Sequence, residues 1–428
     1  MQDPKSGDEG YHHSFKRVIT LRYAVAMYVS SVLGAGVLVI PGLAARIAGP
    51  GSLLSWLLLA FSSYPFAYTF ARLSSRNPES GGIYSFAKEA NGPRWATAVA
   101  WLFVVWVMFG APAVTLSAAA YLAYSFPLTQ PETFLIAGLI LLAAFAVNFR
   151  GMRLSGRVQL ATVAVVVAVL LTVVVASGGS IRASNFTPFL PNGLAPVGTA
   201  SALIVWSYLG YENVPNLAEE FRDPKRDFGR SVAISVCLIG ALYLLVAIAT
   251  IGTGAYKAGG GVTPFAIMAS GLFGSSGGIA FSLLAVFVIF STVNAYTGGL
   301  ARVIYAAAKD GGLPRFIGFV DQKSGVPRRA LLALLFVDSV SLSAYYLLHI
   351  DVQTGFLVTS GAAVLTYIVG SVSGVKLLRE GGYRRFLPWL SLVASFLLIP
   401  FVGWLLLPGL AVMGLAILYT SFRHSTSG

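Results

Sequence analysis

The stretch SVLGAGVLVIPGLAA, residues 31–45, lies within an apolar run long enough to cross a lipid bilayer. Its first half contains two glycines, Gly34 and Gly36, and its second half contains a proline, Pro41. Inside a helix, glycine costs about 1 kcal/mol and proline about 3 kcal/mol relative to alanine. A segment that only anchored a protein would be expected to lack these residues, so we predict that this helix is interrupted for a functional reason.

The composition of the chain indicates a membrane protein with many spans. Of its 428 residues, 56% are hydrophobic and only 11% are charged, whereas an ordinary soluble protein has about 25% charged residues. The single cysteine excludes a disulfide framework, and none of the four histidines has metal-ligand spacing. We therefore predict an all-α membrane protein with no metal site and no cofactor, preceded by a cytosolic tail over residues 1–18.

Twelve transmembrane helices are predicted, because a span needs about 20 mostly apolar residues. The last apolar stretch is too long for one helix and is interrupted by IPFVGW and by Pro408, so we divide it into two short spans. The predicted spans are 19–44, 52–72, 94–126, 133–148, 155–176, 196–218, 230–256, 278–308, 329–348, 352–378 and two within 386–422.

The basic residues predict the orientation of these spans. Cytoplasmic loops of membrane proteins carry an excess of Lys and Arg. With the N-terminus inside, all of the 29 basic residues except Arg46, Arg182 and Lys257 fall on the cytoplasmic side. We therefore predict a multi-pass protein of the cell (inner) membrane with both termini in the cytoplasm. This orientation explains the net charge of +13, so no nucleic-acid partner is expected.

The first and sixth predicted spans share a pattern. The first contains SVLG at 31–34 and PGLA at 41–44, and the sixth contains SYLG at 207–210 and PNLA at 215–218. Because the two copies are five helices apart, an odd number, the second copy is inverted in the membrane. Paired spans that glycine or proline interrupts, in two inverted halves, indicate the midplane binding site of a transporter.

Two such breaks would supply the groups that bind an amino acid. Freed N–H groups at the start of a half-helix bind anions, aided by the positive end of the helix dipole, and Gly34, Ala35 and Gly36 leave room there for a carboxylate. The carbonyl groups near residues 208–210 could receive an ammonium group. The alternative is that these glycines only allow close helix packing, but the match between two spans favours a binding site.

The chain resembles the amino acid–polyamine–organocation (APC) transporter superfamily over nearly its whole length. The similar segments are GAGVLVIPG, NPESGGIYSFAKEANGP, WSYLGYENVPNLAEEFRDPKRDF and AAAKDGGLPRF. Within the superfamily, NAYTGGLARV at 294–303 and the late VGW resemble the bacterial methionine/branched-chain amino acid exporter branch. The resemblance implies a LeuT-type core of ten helices over 19–378, built from inverted repeats at 19–176 and 196–378, with helices 1 and 6 broken. It also implies two peripheral helices within 386–422.

The resemblance also implies which residues bind the substrate. The carboxylate would lie at Gly34, Ala35 and Gly36, with Ser31 and Val32 just before them, and Tyr296 would cover the pocket. The amine would lie at the sixth-span break, formed by Trp206, Ser207, Tyr208, Leu209 and Gly210. Residues at the substrate side chain would be Ala111, Pro112 and Val114, which are apolar, so we expect a neutral aliphatic substrate such as methionine or a branched-chain amino acid.

Two acidic residues, Glu212 and Asp338, fall in predicted spans. Inserting a charged residue at the centre of a membrane costs roughly 3 kcal/mol, so each of these residues is a candidate for a functional role. Burial favours the neutral carboxyl, so Glu212 could load and release a proton, or it could instead hydrogen-bond the unwound backbone. Asp338 is the weaker candidate because the resemblance implies that the ninth helix is peripheral.

Many relatives carry a lysine where this chain has Val166. Three options follow: proton coupling through Glu212, substrate exchange, or sodium bound by Ser291 and Thr292.

We therefore predict a secondary active transporter that exports or exchanges neutral, hydrophobic amino acids by alternating access. The alternative within transport is a symporter that takes up amino acids with protons or sodium. An enzyme is not expected, because His349 is the only histidine near a predicted span and has no nucleophile or metal ligand at a suitable spacing. A channel would not need two matched breaks. The expected partners are the amino acid, the lipid bilayer and possible H+ or Na+ ions, for a monomer or a homodimer.

Overall fold

The computed structural model describes residues 20–76, 82–151, 156–211, 224–321 and 324–425. Within these ranges the chain forms α-helices and short 3-10 turns, and no strand. The helices are α1 (Leu21–Val32), α2 (Gly36–Ala48), α3 (Ser52–Arg76), α4 (Ile83–Asn91), α5 (Pro93–Ser125), α6 (Gln130–Phe149), α7 (Gly156–Ala176), α8 (Ala195–Ile204), α9 (Pro224–Thr253), α10 (Pro264–Lys309), α11 (Arg328–Leu347), α12 (Val352–Leu377), α13 (Leu387–Val402) and α14 (Leu407–Ser425).

Nine helical segments in the described part of the chain are long and apolar enough to cross a membrane. Two of them contain an internal turn: Gly36–Arg76 bends at the 3-10 turn Gly49–Gly51, and Gly382–Ser421 bends at Gly403–Leu406. An all-helical membrane protein is therefore confirmed. The twelve crossings and the inverted repeat stay predictions.

Three predicted boundaries differ from the structure. The eighth span was expected to begin at Gly278, but α10 begins at Pro264 and contains a residue with positive φ, Gly274 at +70°. The first span extends to Ala48, and it is divided into α1 and α2. In the sixth span, α8 ends at Ile204, and residues 212–218 lie outside the described ranges. The predicted start of the eighth span at Gly278 lies just after Gly274, whose φ and ψ are not helical.

Helix α5 lies at the centre of the bundle. It packs against α4, α6, α10, α11, α12 and α14. Helix α12 is buried along most of its length, whereas α6 and α11 keep large apolar side chains exposed, among them Leu135 and Phe336 at 64% and 71%. Since exposed apolar side chains are costly in water but not in lipid, the outer helices present the surface expected at a bilayer.

Pro112 interrupts the hydrogen bonds of α5, and α11 supplies replacements. Proline has no N–H, so the carbonyl four residues earlier, at Met108, loses its partner in the helix. The Ser341 hydroxyl donates to the Met108 carbonyl, and the Tyr345 hydroxyl donates to the Phe109 carbonyl at 2.7 Å. Two hydroxyls on one face of α11 thus satisfy the kinked backbone beside the predicted side-chain pocket.

Side-chain contacts at one end of the bundle join α4 to α10. The Lys88 ammonium lies 2.7 Å from Oδ2 of Asp310, and the Tyr84 hydroxyl donates to the same oxygen at 3.0 Å. Burial raises the pKa of Tyr84, and the Asp310 carboxylate raises it further, so this phenol remains a donor. Helix α4 is therefore held against the C-terminal end of α10.

We expect Tyr345→Phe to lower the stability of the protein by about 1 kcal/mol, the scale of a hydrogen bond between membrane helices, because the Phe109 carbonyl loses its donor. The measurement is thermal unfolding in detergent. Tyr346→Phe is the matched control, since Tyr346 is 38% exposed and contacts Phe134 through its ring. Equal melting temperatures for the two variants would contradict this role of Tyr345.

Candidate functional site

The first span is broken at residues 33–35, between the end of α1 and the start of α2. The Ala35 N–H donates to Oγ1 of Thr292 in α10 at 3.1 Å. The first N–H groups of a helix have no partner within that helix, so those at the start of α2, at Gly36 and Val37, lie at the break. The break therefore combines a positive dipole end with glycine residues, as a carboxylate site requires.

The sixth span is broken where α8 gives way to the 3-10 turn Val205–Tyr208. The Ser31 hydroxyl donates to the Gly210 carbonyl at 2.8 Å, which joins the two breaks directly. Gly210 has φ +124°, and a Cβ added there would lie 2.4 Å from the Ser31 carbonyl oxygen. Only glycine fits this backbone and this approach, so the pairing of the breaks depends on Gly210.

Tyr243 of α9 also binds both breaks. Its hydroxyl donates to the Ser207 carbonyl at 2.8 Å and lies 3.4 Å from the Val32 carbonyl. Tyr243 is fully buried. Sequence reasoning missed this residue, because a tyrosine within an apolar span carries no signal for the carbonyl that it contacts.

A cavity of about 430 Å³ lies against the breaks and extends toward α4. Its wall includes ten of the predicted binding and sodium residues: Ser31, Val32, Gly34, Ala35, Gly36, Trp206, Leu209, Ser291, Thr292 and Tyr296. Gly82 and Ile83 of the α4 end and Arg302 of α10 also line it. The structure thus brings most of the predicted residues to one cavity.

A second pocket, of about 40 Å³, adjoins this cavity. Ala111 and Val114 line it, as predicted for residues near a substrate side chain, and Trp206 and Tyr296 line both spaces. The Trp206 and Tyr296 rings stack with centroids 6.3 Å apart and planes 23° apart. This aromatic pair therefore belongs to the wall that the two spaces share.

Four predicted residues lie behind the cavity and do not line either space. Pro112 is buried at the kink of α5, and Gly210 packs on the Ser31 backbone. Ser207 and Tyr208 are also buried, and the Tyr208 ring packs against Trp56 at 6.3 Å between centroids. Ser207, Tyr208 and Gly210 therefore belong to the second break, and Pro112 belongs to α5, without lining the cavity.

The structure describes Ser291 and Thr292 of the candidate ion sites. Glu212 lies outside the described residues. The Thr292 hydroxyl accepts from the Ala35 N–H and donates to the Val288 carbonyl at 3.1 Å. A hydroxyl has one proton and two lone pairs, so Thr292 keeps one lone pair for a cation. Val166 also lines the cavity, and its side chain is uncharged.

Trp106 and Phe103 of α5 line the cavity, and sequence reasoning missed both. Trp106 also lines the 40 Å³ pocket. Aromatic side chains recur along the predicted spans, so a helical pattern does not show which of them face a ligand.

Comparison with known proteins gives consistent matches. The sequence profile of the family described as "Amino acid permease" matches residues 19–422. The uncharacterized amino acid permease YecA of Bacillus subtilis is 32% identical over 92% of this chain and 92% of its own length. The L-methionine/branched-chain amino acid exporter YjeH of Escherichia coli is 27% identical over 91% and 92%, respectively. A vacuolar cationic amino acid transporter of Arabidopsis thaliana is 26% identical over 78% of this chain and 56% of its own.

We expect Gly36→Val to abolish binding of methionine and leucine while the protein still folds. A Cβ at Gly36 would lie 3.0 Å from Oγ and 3.2 Å from Cα of Ser207, so a branched side chain would fill the space beside the break. Binding is measured by equilibrium dialysis of labelled amino acid with protein in detergent. Gly271→Val is the matched control, because a Cβ there meets nothing within 4 Å. Unchanged affinity in Gly36→Val would remove the carboxylate assignment.

Proposed function

This chain belongs to the amino acid permease family, and from that premise we propose that it exports or exchanges neutral, hydrophobic amino acids across the cytoplasmic membrane by alternating access. The proposal includes twelve spans with both termini in the cytoplasm and an inverted repeat of five plus five helices. The alternative is uptake driven by protons or sodium.

The observation that carries the proposal is the contact between two helix breaks in the wall of one cavity. Helix N-terminal N–H groups suit a carboxylate, and the carbonyls of the second break suit an ammonium group. Both groups lie on one carbon of an amino acid, so a ligand of this class would engage both breaks. The approach of Ser31 to Gly210 at 2.8 Å supports this arrangement.

The lining of the adjoining pocket supports a hydrophobic side chain. Ala111, Val114, Val107 and Phe145 contribute apolar surface to it. Burying a methylene group in such surroundings contributes about 0.8 kcal/mol, so methionine and leucine gain more than glycine or serine. The Escherichia coli relative is named as an exporter of methionine and branched-chain amino acids, which agrees with this chemistry.

The cavity extends toward the predicted cytoplasmic end of the bundle, where export or exchange would begin and where uptake would end. The cavity reaches Gly82 and Ile83 of the α4 end and Arg302 of α10. Lys88 and Lys309 lie at this end of the bundle, on α4 and at the end of α10. Because basic residues mark the cytoplasmic side, a cytosolic amino acid would reach the breaks from here.

We expect purified protein in liposomes to accumulate labelled methionine and leucine when the vesicles contain unlabelled amino acid. Vesicles loaded or left empty, with and without sodium or an inward proton gradient, separate the coupling modes. Accumulation into loaded vesicles alone indicates exchange, and accumulation into empty vesicles identifies the driving ion and favours the uptake alternative. Failure to transport either amino acid under all conditions would contradict the proposed substrate.

We expect Glu212→Gln to flatten the pH dependence of transport if Glu212 carries the coupled proton, because glutamine cannot change its charge. The initial rate of methionine uptake is measured between pH 5 and pH 8, with wild-type protein as the reference. An unaltered profile would leave Glu212 a structural role at the unwound backbone.

A further inference from the structure

Asp338 of α11 is a buried carboxyl that the two breaks do not use. It is 2% exposed, and its Oδ1 has no hydrogen-bond partner among the described residues. Ser341 and Tyr345, one and two turns further along the same helix, donate to carbonyls of α5. These hydroxyls therefore bond to α5 near Pro112 and do not bond to Asp338, which lines a small pocket.

That space is the 40 Å³ pocket beside the cavity, which Asp338 lines together with Ala111, Val114 and Trp106. The indole Nε1 of Trp106 is also buried without a partner in the described part of the chain. The lining of the pocket thus includes two residues that each have a buried polar atom without a partner among the described residues. The volume of the pocket exceeds the 10–15 Å³ or so that one water needs by this measure, so the pocket has room for water.

No described cation lines the pocket to balance a charge on Asp338. From α10 the one titratable side chain in the lining is Tyr296, and α5 and α6 contribute Trp106 and Phe145, which do not titrate. Arg302 belongs to the wall of the larger cavity. An unpaired charge in apolar surroundings is costly, whereas the protonated carboxyl is neutral. The Asp338 carboxyl can therefore release its proton only when water reaches it to accept the proton.

Trp206 and Tyr296 line both the pocket and the substrate cavity, so a movement of these side chains would change the access of water to the pocket. We propose that Asp338 is a proton-binding site beside the substrate side chain and that it exchanges its proton in step with substrate movement. The proton leaves the carboxyl for water in the cavity on one side of the membrane and is replaced from water on the other. This inference rests on the proposed function and deepens it by naming the coupling site.

The test measures two quantities in the same liposomes, which hold methionine on one side of the membrane only: net transport of labelled methionine, and methionine-dependent proton movement reported by a pH-sensitive dye in the lumen. We expect Asp338→Asn to lower the number of protons moved per methionine by tenfold or more, because asparagine cannot bind and release a proton. Ser341→Ala, on the same face of α11, is the matched control and should keep the ratio of protons to methionine. Glu212→Gln tests the rival carboxyl, and a ratio that falls in this variant but not in Asp338→Asn would assign the coupling to Glu212 and overturn the proposal.

An unchanged ratio of protons to methionine in Asp338→Asn would overturn the proposal, as would net transport of methionine by wild type without proton movement. Absence of methionine transport in wild type, both net and by exchange, would instead remove the proposed function, and the proton site with it. If Asp338→Asn does not fold or does not transport methionine, Trp106→Phe supplies a second test. It removes a polar group from the pocket lining and should shift the pH of half-maximal proton movement, and an unchanged midpoint would contradict the site.

Discussion

Backbone groups freed in the middle of a bilayer must find partners within the protein, because lipid offers none. Three hydroxyls meet this requirement here. Ser31 binds the Gly210 carbonyl, Thr292 binds the Ala35 N–H, and Tyr243 binds the Ser207 carbonyl. The positions of α9 and α10 around α1, α2 and α8 follow from these bonds. The groups left without such partners, at the start of α2, are the ones that remain for a ligand.

The same rule explains the kink of α5. Pro112 has no backbone N–H, and the hydroxyls of Ser341 and Tyr345 in α11 donate hydrogen bonds to carbonyls of α5 instead. A helix that the family resemblance describes as peripheral is thereby fixed against the centre of the bundle. This attachment is what brings Asp338 to the pocket beside Ala111 and Val114.

The sequence predicted the helical class and the interruption of the first span near Gly34 and Gly36, because glycine carries a cost inside a helix and its position can be read from the sequence. In the sixth span, α8 ends at Ile204 and a 3-10 turn covers Val205–Tyr208, close to the predicted break. The sequence did not predict the contacts that hold the breaks together. Tyr243 and Trp106 are ordinary aromatic residues of apolar spans, and only the packing shows that one reaches two carbonyls and the other lines two spaces. The same limit applies to Ser207, whose backbone contributes to the break although its side chain is buried.

Tyr243 has a mechanical consequence. One hydroxyl lies within 3.4 Å of carbonyls from both breaks, and Ser31 joins them a second time. The two unwound segments are therefore tethered and would travel as a single rigid unit with α9. The bond between Ala35 and Thr292 instead links this unit to α10. A rotation of this unit away from α10 would stretch the hydrogen bond between the Ala35 N–H and the Thr292 hydroxyl. The free energy of that bond would then contribute to the barrier of the movement and so to the turnover rate.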